Sequence, residues 1–275
     1  RYGQRQLVES IDKKLYQCTG RRNIGLSVAG DEVLFQKTDN NEGVVTAIQP
    51  RINELKRQNK LIAANIDQLW LVVALEPHYE FELIDRYLIM AENVNLPINI
   101  IVNKIELAKN LEQASRDFSI YKNIDYQVHF LSVKQENNLD SLKSCLRDKT
   151  HIFLGQSGVG KSSLINTLIP DLDLRVDEIS TKTKLGRHTT TNTTIHHIPS
   201  GGDLIDSPGI REFQINEFSS KQILNGYREF KSYLGKCRFR NCQHVNEPDC
   251  AIRGALDSEV IHPARYQSYI NLISE

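Results

Sequence analysis

The stretch HIFLGQSGVGKSSLINTLI (151–169) decides the fold, because it reads as a strand, a glycine-rich loop and a helix in succession. Within it, Gly155, Gly160, Lys161 and Ser162 match the phosphate-loop pattern G-x-x-x-x-G-K-S/T. Glycines let backbone N–H groups turn toward phosphate oxygens at a helix N-terminus, whose dipole also favours an anion. The lysine is expected to neutralise the β and γ phosphates, and the serine to ligate Mg²⁺. The predicted phosphate-binding residues are Gly155, Gln156, Ser157, Gly158, Val159, Gly160, Lys161, Ser162 and Ser163.

A second motif, VNKIEL (102–107), follows an apolar strand and corresponds to the N-K-x-D element by which GTPases bind guanine. A carboxylate there accepts from the N1–H and the amino group of guanine, which adenine does not offer, so adenine is rejected. Glu106 stands where aspartate is usual, and we expect guanine selectivity to be retained. The loop SVK after the strand VHFL is predicted to face the base oxygen through its backbone. The predicted base-binding residues are Asn103, Lys104, Glu106, Ser132, Val133 and Lys134.

The segment TTIHHIPSGGDLIDSPGI (193–210) predicts a hairpin that turns at Gly201 and Gly202. Asp206 then ends a strand and is expected to hold Mg²⁺, while the Gly209 N–H reaches the γ-phosphate. The order is therefore base element, phosphate loop and Mg²⁺ strand. This order is a circular permutation of the GTPase sheet, which is tolerated when the original termini lie close together on the surface.

The central part of the chain has the pattern of a parallel α/β sheet. The runs LWLVVAL (69–75) and INIIV (98–102) are continuously apolar, as in strands covered on both faces. Between them, FELIDRYLIMAENVN (81–95) has apolar residues at helical spacing, which completes a βαβ unit.

The N-terminal part, up to about residue 57, has short apolar pieces separated by Gly, Asn and Asp, which predicts a small antiparallel β unit or barrel. Through Lys60 it carries eleven Lys or Arg against seven Asp or Glu, a net charge of +4. A solvated surface and an RNA-binding face both fit this charge.

Three cysteines and one histidine lie within fourteen residues, as Cys237-x4-Cys242-x-His244-x5-Cys250. They form a complete tetrahedral set for structural Zn²⁺, with no ligand position left for catalysis. The unit from about 223 to 275 is too small to be stable on core burial alone, so the metal should contribute folding energy. Lys236, Arg238 and Arg240 flank Phe239, a pattern that fits either rRNA contact or solvated charges.

Composition gives no sign of a polyanion-binding or membrane protein. Lys and Arg number 34 and Asp and Glu 34, so any nucleic-acid surface must be local. No run reaches the roughly 18 apolar residues of a membrane span, and RYGQRQLVES is unlike a secretory signal. With five cysteines, an odd number, and the metal-type cluster, this predicts a cytoplasmic protein.

Taken together, these motifs resemble the circularly permuted GTPases that depend on the small ribosomal subunit, the RsgA (YjeQ) family. The resemblance implies an N-terminal OB-fold, a central permuted P-loop GTPase domain and a C-terminal zinc domain, which we place at 1–58, 59–222 and 223–275. It also implies GTP hydrolysis in late 30S maturation, stimulated by that subunit, with 16S rRNA as partner, no membrane and a monomeric chain. The motifs that carry it are IAANIDQLWLVVAL, NKIEL, GQSGVGKSSLIN, GRHTTT, DLIDSPGIREF and CRFRNCQHVNEPDCAI.

The water-positioning residue is not in its usual place, because Ile210 occupies the position where many GTPases have Gln. In the segment KLGRHTTTNTT (184–194), Thr189 or Thr190 is expected to ligate Mg²⁺. The resemblance nominates His188 as the residue that positions water. The predicted catalytic residues are His188, Lys161 and Thr190, and the predicted Mg²⁺ ligands are Ser162, Thr190 and Asp206. The predicted bound species are GTP or GDP, Mg²⁺ and one structural Zn²⁺.

Two other functions remain open at this stage. A P-loop ATPase or kinase is disfavoured by NKIE and SVK. An RNA-binding module that keeps a nucleotide as a structural ligand is compatible with Ile210. The neighbouring His196 and His197 point to opposite faces of a strand and are interpreted as ordinary strand residues.

Overall fold

A computed structural model describes residues 5–21, 24–38, 41–57, 60–172, 193–206 and 218–275. Among these residues, no helix has the length and apolar character needed to cross a bilayer.

The N-terminal part forms one four-stranded sheet and one hairpin. The sheet has the order β1-β2-β4-β3, and β5 pairs with β6. The first four strands are β1 (Arg5–Glu9), β2 (Leu15–Gly20), β3 (Val33–Lys37) and β4 (Glu42–Ile48). The hairpin consists of β5 (Glu54–Arg57) and β6 (Lys60–Ala64). This hairpin spans the boundary that we place between the N-terminal and central domains, at positions 58 and 59.

One feature of this sheet differs from the antiparallel unit that we predicted. The outer pairs are antiparallel, but β2 and β4 run parallel. The chain reverses between β2 and β3 and again between β3 and β4, so the strand placed beside β2 has the same direction. β4 therefore lies between β2 and β3 in the sheet, and β3 is an edge strand. The hydrogen bonds between the described strands do not close this sheet into a barrel.

The central sheet has six strands in the order β11-β12-β10-β7-β8-β9, and β11 is its antiparallel edge strand. The other five strands are parallel, as predicted. The strands are β7 (Gln68–Ala74), β8 (Ile98–Asn103), β9 (Val128–Phe130), β10 (Thr150–Leu154), β11 (Thr194–His197) and β12 (Asp203–Asp206). The helices that cover the sheet are α1 (Phe81–Asn93), α2 (Leu111–Lys122), α3 (Leu139–Cys145) and α4 (Lys161–Leu168).

Strand β7 shows why its sequence is apolar throughout. Leu69, Leu71 and Val73 lie in the core beneath α1 and α2. Trp70 and Val72 lie in the opposite core, beneath α3 and α4. Both faces of the strand are therefore buried, as a sheet with helices on both sides requires.

The sheet order shows the permutation directly. If the strands are counted from β10 through β12 and then from β7 through β9, the order becomes 2-3-1-4-5-6. Adjacent strands β10 and β7 then flank the point where the connections change direction. Open α/β sheets bind ligands beyond the carboxyl ends of the strands at such a point.

The C-terminal part packs on α1 through a core that includes Ile89 of that helix. It contains α5 (Ser220–Gly226), α6 (Ala251–Asp257) and α7 (Pro263–Ser274), and α5 crosses the boundary that we place between positions 222 and 223. Arg265 of α7 is fully buried and forms ion pairs with Asp85 of α1 and with Glu229, the latter at 2.7 Å. The C-terminal unit is therefore fastened to the half of the central domain that carries the base element.

Candidate functional site

The phosphate loop connects the carboxyl end of β10 to the first turn of α4. Gly155 and Gly160 are required there because other parts of the chain approach them closely. Gly155 has a φ of 135°, and a Cβ there would lie 2.1 Å from the Val72 carbonyl oxygen. A Cβ on Gly160 would lie 2.3 Å from Nδ2 of Asn103. The loop therefore has its compact shape because residues of β7 and of the base element press against it.

Asn103 joins the two motifs that are far apart in the sequence. Its side chain is buried, Nδ2 donates to the Val159 carbonyl at 2.9 Å, and Oδ1 accepts from the Val133 backbone N–H at 3.3 Å. One amide thus contacts the end of β8, the phosphate loop and the 132–134 loop. The structure brings the predicted base and phosphate elements together beyond the carboxyl ends of the parallel strands.

The side chain of Lys104 lies along the phosphate loop and forms a hydrogen bond with the backbone of that loop. The residue is left-handed, with a φ of 60°, and its Nζ donates to the carbonyls of Glu76 and Gly158, both at 2.7 Å. These bonds hold the base element against the loop. Lys161 is buried at the start of α4, and its Nζ donates to the carbonyls of Gly155, at 2.7 Å, and of Gln156.

Glu106 has an unusual environment for a carboxylate. It lies in the 3-10 helix Ile105–Leu107, and its Oε2 is buried with no hydrogen-bond partner among the described residues. A buried oxygen without a donor is costly, and it fits a ligand that brings its own N–H groups. Guanine has such groups at N1 and N2. The residues present therefore fit a guanine base.

The loop of residues 132–134, predicted to face the base oxygen, is closed by hydrogen bonds within its own turn. The buried Ser132 accepts through Oγ from the Gln135 backbone N–H at 3.1 Å. Its backbone also pairs with Asn137. The turn therefore keeps residues 132–134 at the end of β9, beside Asn103.

Asp206 ends β12 and pairs in register with Thr194 of β11, at the same sheet edge as the phosphate loop. Ser162 and Ser163 lie in the first turn of α4. The remaining predicted residues of this site lie outside the described ranges: His188, Thr189, Thr190 and Gly209.

The four predicted zinc ligands meet at a second site. Their ligand atoms all lie within 4.8 Å of one another. The distance from Nδ1 of His244 is 3.4 Å to Sγ of Cys237 and 3.4 Å to Sγ of Cys250, and the two sulfurs are 3.9 Å apart. Tetrahedral zinc with Zn–S bonds of about 2.3 Å requires sulfurs about 3.8 Å apart. The cluster therefore fits zinc, and the sulfurs are too far apart for a disulfide.

The loop around the cluster is organised by Glu247, which sequence reasoning missed. Its carboxylate accepts from the backbone N–H groups of Gln243, Val245 and Asn246 at 2.7 to 3.1 Å. These bonds, first that of Gln243, lower the pKa of Glu247 to about 2. Burial lowers the pKa of His244, which favours the neutral imidazole that binds metals. The sequence signal for this role is the position of Glu247 in a tight turn between two predicted zinc ligands, His244 and Cys250.

The sheet order and the joined loops define a P-loop GTPase of the circularly permuted class. The RsgA GTPase family model matches residues 48–216. The chain belongs to the RsgA GTPase family, and family membership makes it a GTP hydrolase.

Individual relatives extend the match over nearly the whole chain. It is 42% identical to the small ribosomal subunit biogenesis GTPase RsgA of Actinobacillus succinogenes, over 100% of this chain and 82% of the relative. It is also 42% identical to the protein of that name from Haemophilus influenzae, over 99% and 82%.

Two solved structures have the same architecture. YjeQ from Thermotoga maritima matches with a TM-score of 0.83 and 28% identity, over 98% of this chain and 93% of that one. The circularly permuted GTPase YloQ matches with a TM-score of 0.77 and 28% identity, over 98% and 89%.

Proposed function

We propose that this protein hydrolyses GTP when it is bound to the small ribosomal subunit, during late maturation of that subunit. The observation that carries the proposal is the hydrogen bond from Asn103 to the Val159 carbonyl, because it joins the segment proposed to bind the base to the segment proposed to bind the phosphates. The names of the relatives supply the ribosomal partner. A ribosome-assembly role supports a cytoplasmic location.

In this proposal, three segments divide the work of holding GTP. Glu106 accepts from the guanine edge, and Asn103 and Lys104 hold the base element against the loop. Residues 155–163 bind the phosphates through backbone N–H groups, with Lys161 supplying positive charge. The 132–134 backbone faces the base oxygen.

Ser162, Thr190 and Asp206 are the proposed Mg²⁺ ligands. Mg²⁺ when bound neutralises charge that develops on the phosphate oxygens. Thr189 closes over the γ-phosphate, and the Gly209 N–H contacts it. His188 positions the attacking water in place of the glutamine that Ile210 replaces.

We further propose three domains, at 1–58, 59–222 and 223–275, in a monomeric chain. The N-terminal sheet and the exposed residues around Phe239 contact 16S rRNA. Arg238 supports the latter assignment, because its guanidinium lies 5.5 Å from the Phe239 ring centre and presents a cationic and aromatic surface.

The test measures phosphate release with and without purified small subunits, for the wild type and for His188→Ala. We expect the subunit to accelerate the wild type, and the substitution to remove about a hundredfold or more of the stimulated rate, the usual contribution of one acid–base group. Affinity for GDP should stay unchanged. Thr191→Ala, in the same segment, is the matched control and should retain stimulation.

Two outcomes would contradict this assignment. Equal stimulation in wild type and His188→Ala would remove His188 from the mechanism. No turnover in any condition, with nucleotide still bound, would favour an RNA-binding module with a structural nucleotide.

A further inference from the structure

His197 connects the N-terminal sheet to the edge of the central sheet. Its Nε2 lies 2.7 Å from Oε2 of Glu9, the last residue of β1. Its Nδ1 lies 2.6 Å from Oδ1 of Asp203, the first residue of β12. A single half-exposed imidazole ring therefore bridges two parts of the chain that are 188 residues apart.

The two contacts together require a charged ring. An ionised carboxylate can only accept hydrogen bonds, so each ring nitrogen must carry a hydrogen. Neutral imidazole has one N–H and imidazolium has two. Loss of the second proton would leave a nitrogen lone pair facing a carboxylate oxygen at less than 3 Å, which is repulsive. The bridge is complete only when His197 is protonated.

We propose that His197 is a proton-operated latch between the N-terminal sheet and the β11–β12 hairpin. The protonated ring holds the two parts together, and loss of a proton releases them. A second connection does not depend on protonation: the Ala64 backbone N–H donates to the Ala29 carbonyl at 3.0 Å, and Nδ2 of Asn65 donates to the Gly30 carbonyl at 2.8 Å. This second connection serves as the hinge when the latch opens.

The pH range of the latch follows from the groups around the ring. In the described part of the chain, the charged groups that act on it are Glu9 from β1 and Asp203 from β12. Their hydrogen bonds, first that of Glu9, raise the pKa of His197 against the opposing effect of partial burial. The latch is therefore fully closed below the ordinary histidine pKa of about 6.5, and it opens as the pH rises through the raised pKa. Salt should weaken it, because the groups are partly exposed.

The latch lies on the β11–β12 strand pair, which also carries the predicted Mg²⁺ ligand Asp206. His197 pairs with Asp203 at one end of β11, and Thr194 pairs with Asp206 at the other. The two positions are three residues apart along each strand, a distance of about 10 Å. The N-terminal sheet is thereby connected to the nucleotide site, a link that rests on the proposed function, whereas the latch itself does not.

The experiment is an NMR titration of the full chain with labelled histidines, combined with ¹⁵N relaxation of the N-terminal and central sheets. In the wild type we expect a raised His197 pKa. We also expect the two sheets to share one rotational correlation time near pH 6, and the N-terminal sheet to have a shorter one at about pH 8.5, above the histidine range. Glu9→Gln should return the His197 pKa toward its ordinary value. His197→Gln should give the shorter time at both pH values.

His196→Gln is the matched control, since this neighbouring side chain points to the opposite face of β11. It should preserve the pH-dependent change. The latch would be overturned if Glu9→Gln left the His197 pKa unchanged, or if the change in correlation time persisted in His197→Gln. Neither result would bear on GTP hydrolysis, so this failure is distinguishable from failure of the proposed function.

Discussion

Replacing Lys161 by methionine is expected to lower kcat/KM for GTP by about a thousandfold or more, the range seen when a cationic group on the transferred phosphate is removed. Methionine keeps the unbranched aliphatic length and removes only the ammonium group. Lys161 is buried at the start of α4, where its charge is poorly screened by water. Single-turnover phosphate release, with saturating small subunits, measures the loss.

Lys149→Met is the control for this substitution. Lys149 is exposed just before β10, at the end of that strand away from the phosphate loop. We expect the turnover and thermal stability of the Lys149→Met variant to match those of the wild type. If Lys161→Met retained turnover within about threefold while the protein stayed folded, the phosphate-loop assignment would be wrong, since a few-fold effect is below that of one lost charged hydrogen bond.

Removing zinc is expected to unfold the C-terminal unit. Structural zinc contributes about 10–16 kcal/mol of apparent binding free energy in small zinc domains, more than a unit of this size gains from its core. Unfolding would also uncover the face of α1 that carries Ile89 and Asp85, and Asp85 would lose its partner Arg265, so the central domain should melt at a lower temperature. Metal analysis should find one zinc per chain before chelation, and thiol titration should show three newly reactive cysteines after it.

Cys250→Ser and Cys145→Ser form a matched pair for this experiment. Cys250 belongs to the four-ligand cluster, whereas Cys145 lies in α3, outside it. The first substitution should abolish stoichiometric zinc, and the second should preserve it. A metal-free protein with an unchanged melting curve and unreactive thiols would show that the cluster is not a structural zinc site.

Much of the central domain could be predicted because its signals are local. Continuous apolar runs such as 69–75 identify strands buried on both faces, and the phosphate-loop pattern is a fixed spacing within one short segment. The order of the motifs was enough to predict the permuted sheet. The spacing of Cys237, Cys242, His244 and Cys250 likewise predicted which side chains would meet.

Contacts between distant segments left no comparable signal. The sequence around His197 predicts an ordinary strand residue, because nothing near it points to Glu9. Asp85 is the charged residue among the buried side chains of α1, and its partner Arg265 is 180 residues away. The parallel pairing of β2 with β4 also depends on topology and not on side-chain alternation, which is the same for both directions.

The central claim is that one ligand is held by its base at Glu106 and by its phosphates at Lys161. The most direct test is a competition assay in which GDP, inosine diphosphate and ADP displace a labelled guanine nucleotide. Inosine diphosphate lacks the amino group at C2. Wild-type protein should therefore prefer GDP to inosine diphosphate by about ten- to a hundredfold, which is the contribution of one hydrogen bond to a charged group. It should bind ADP most weakly of the three. Glu106→Ala should erase most of the preference for GDP over inosine diphosphate, whereas Lys161→Met should weaken both equally. An unchanged preference in Glu106→Ala, or wild-type protein that binds ADP as tightly as GDP, would contradict the account.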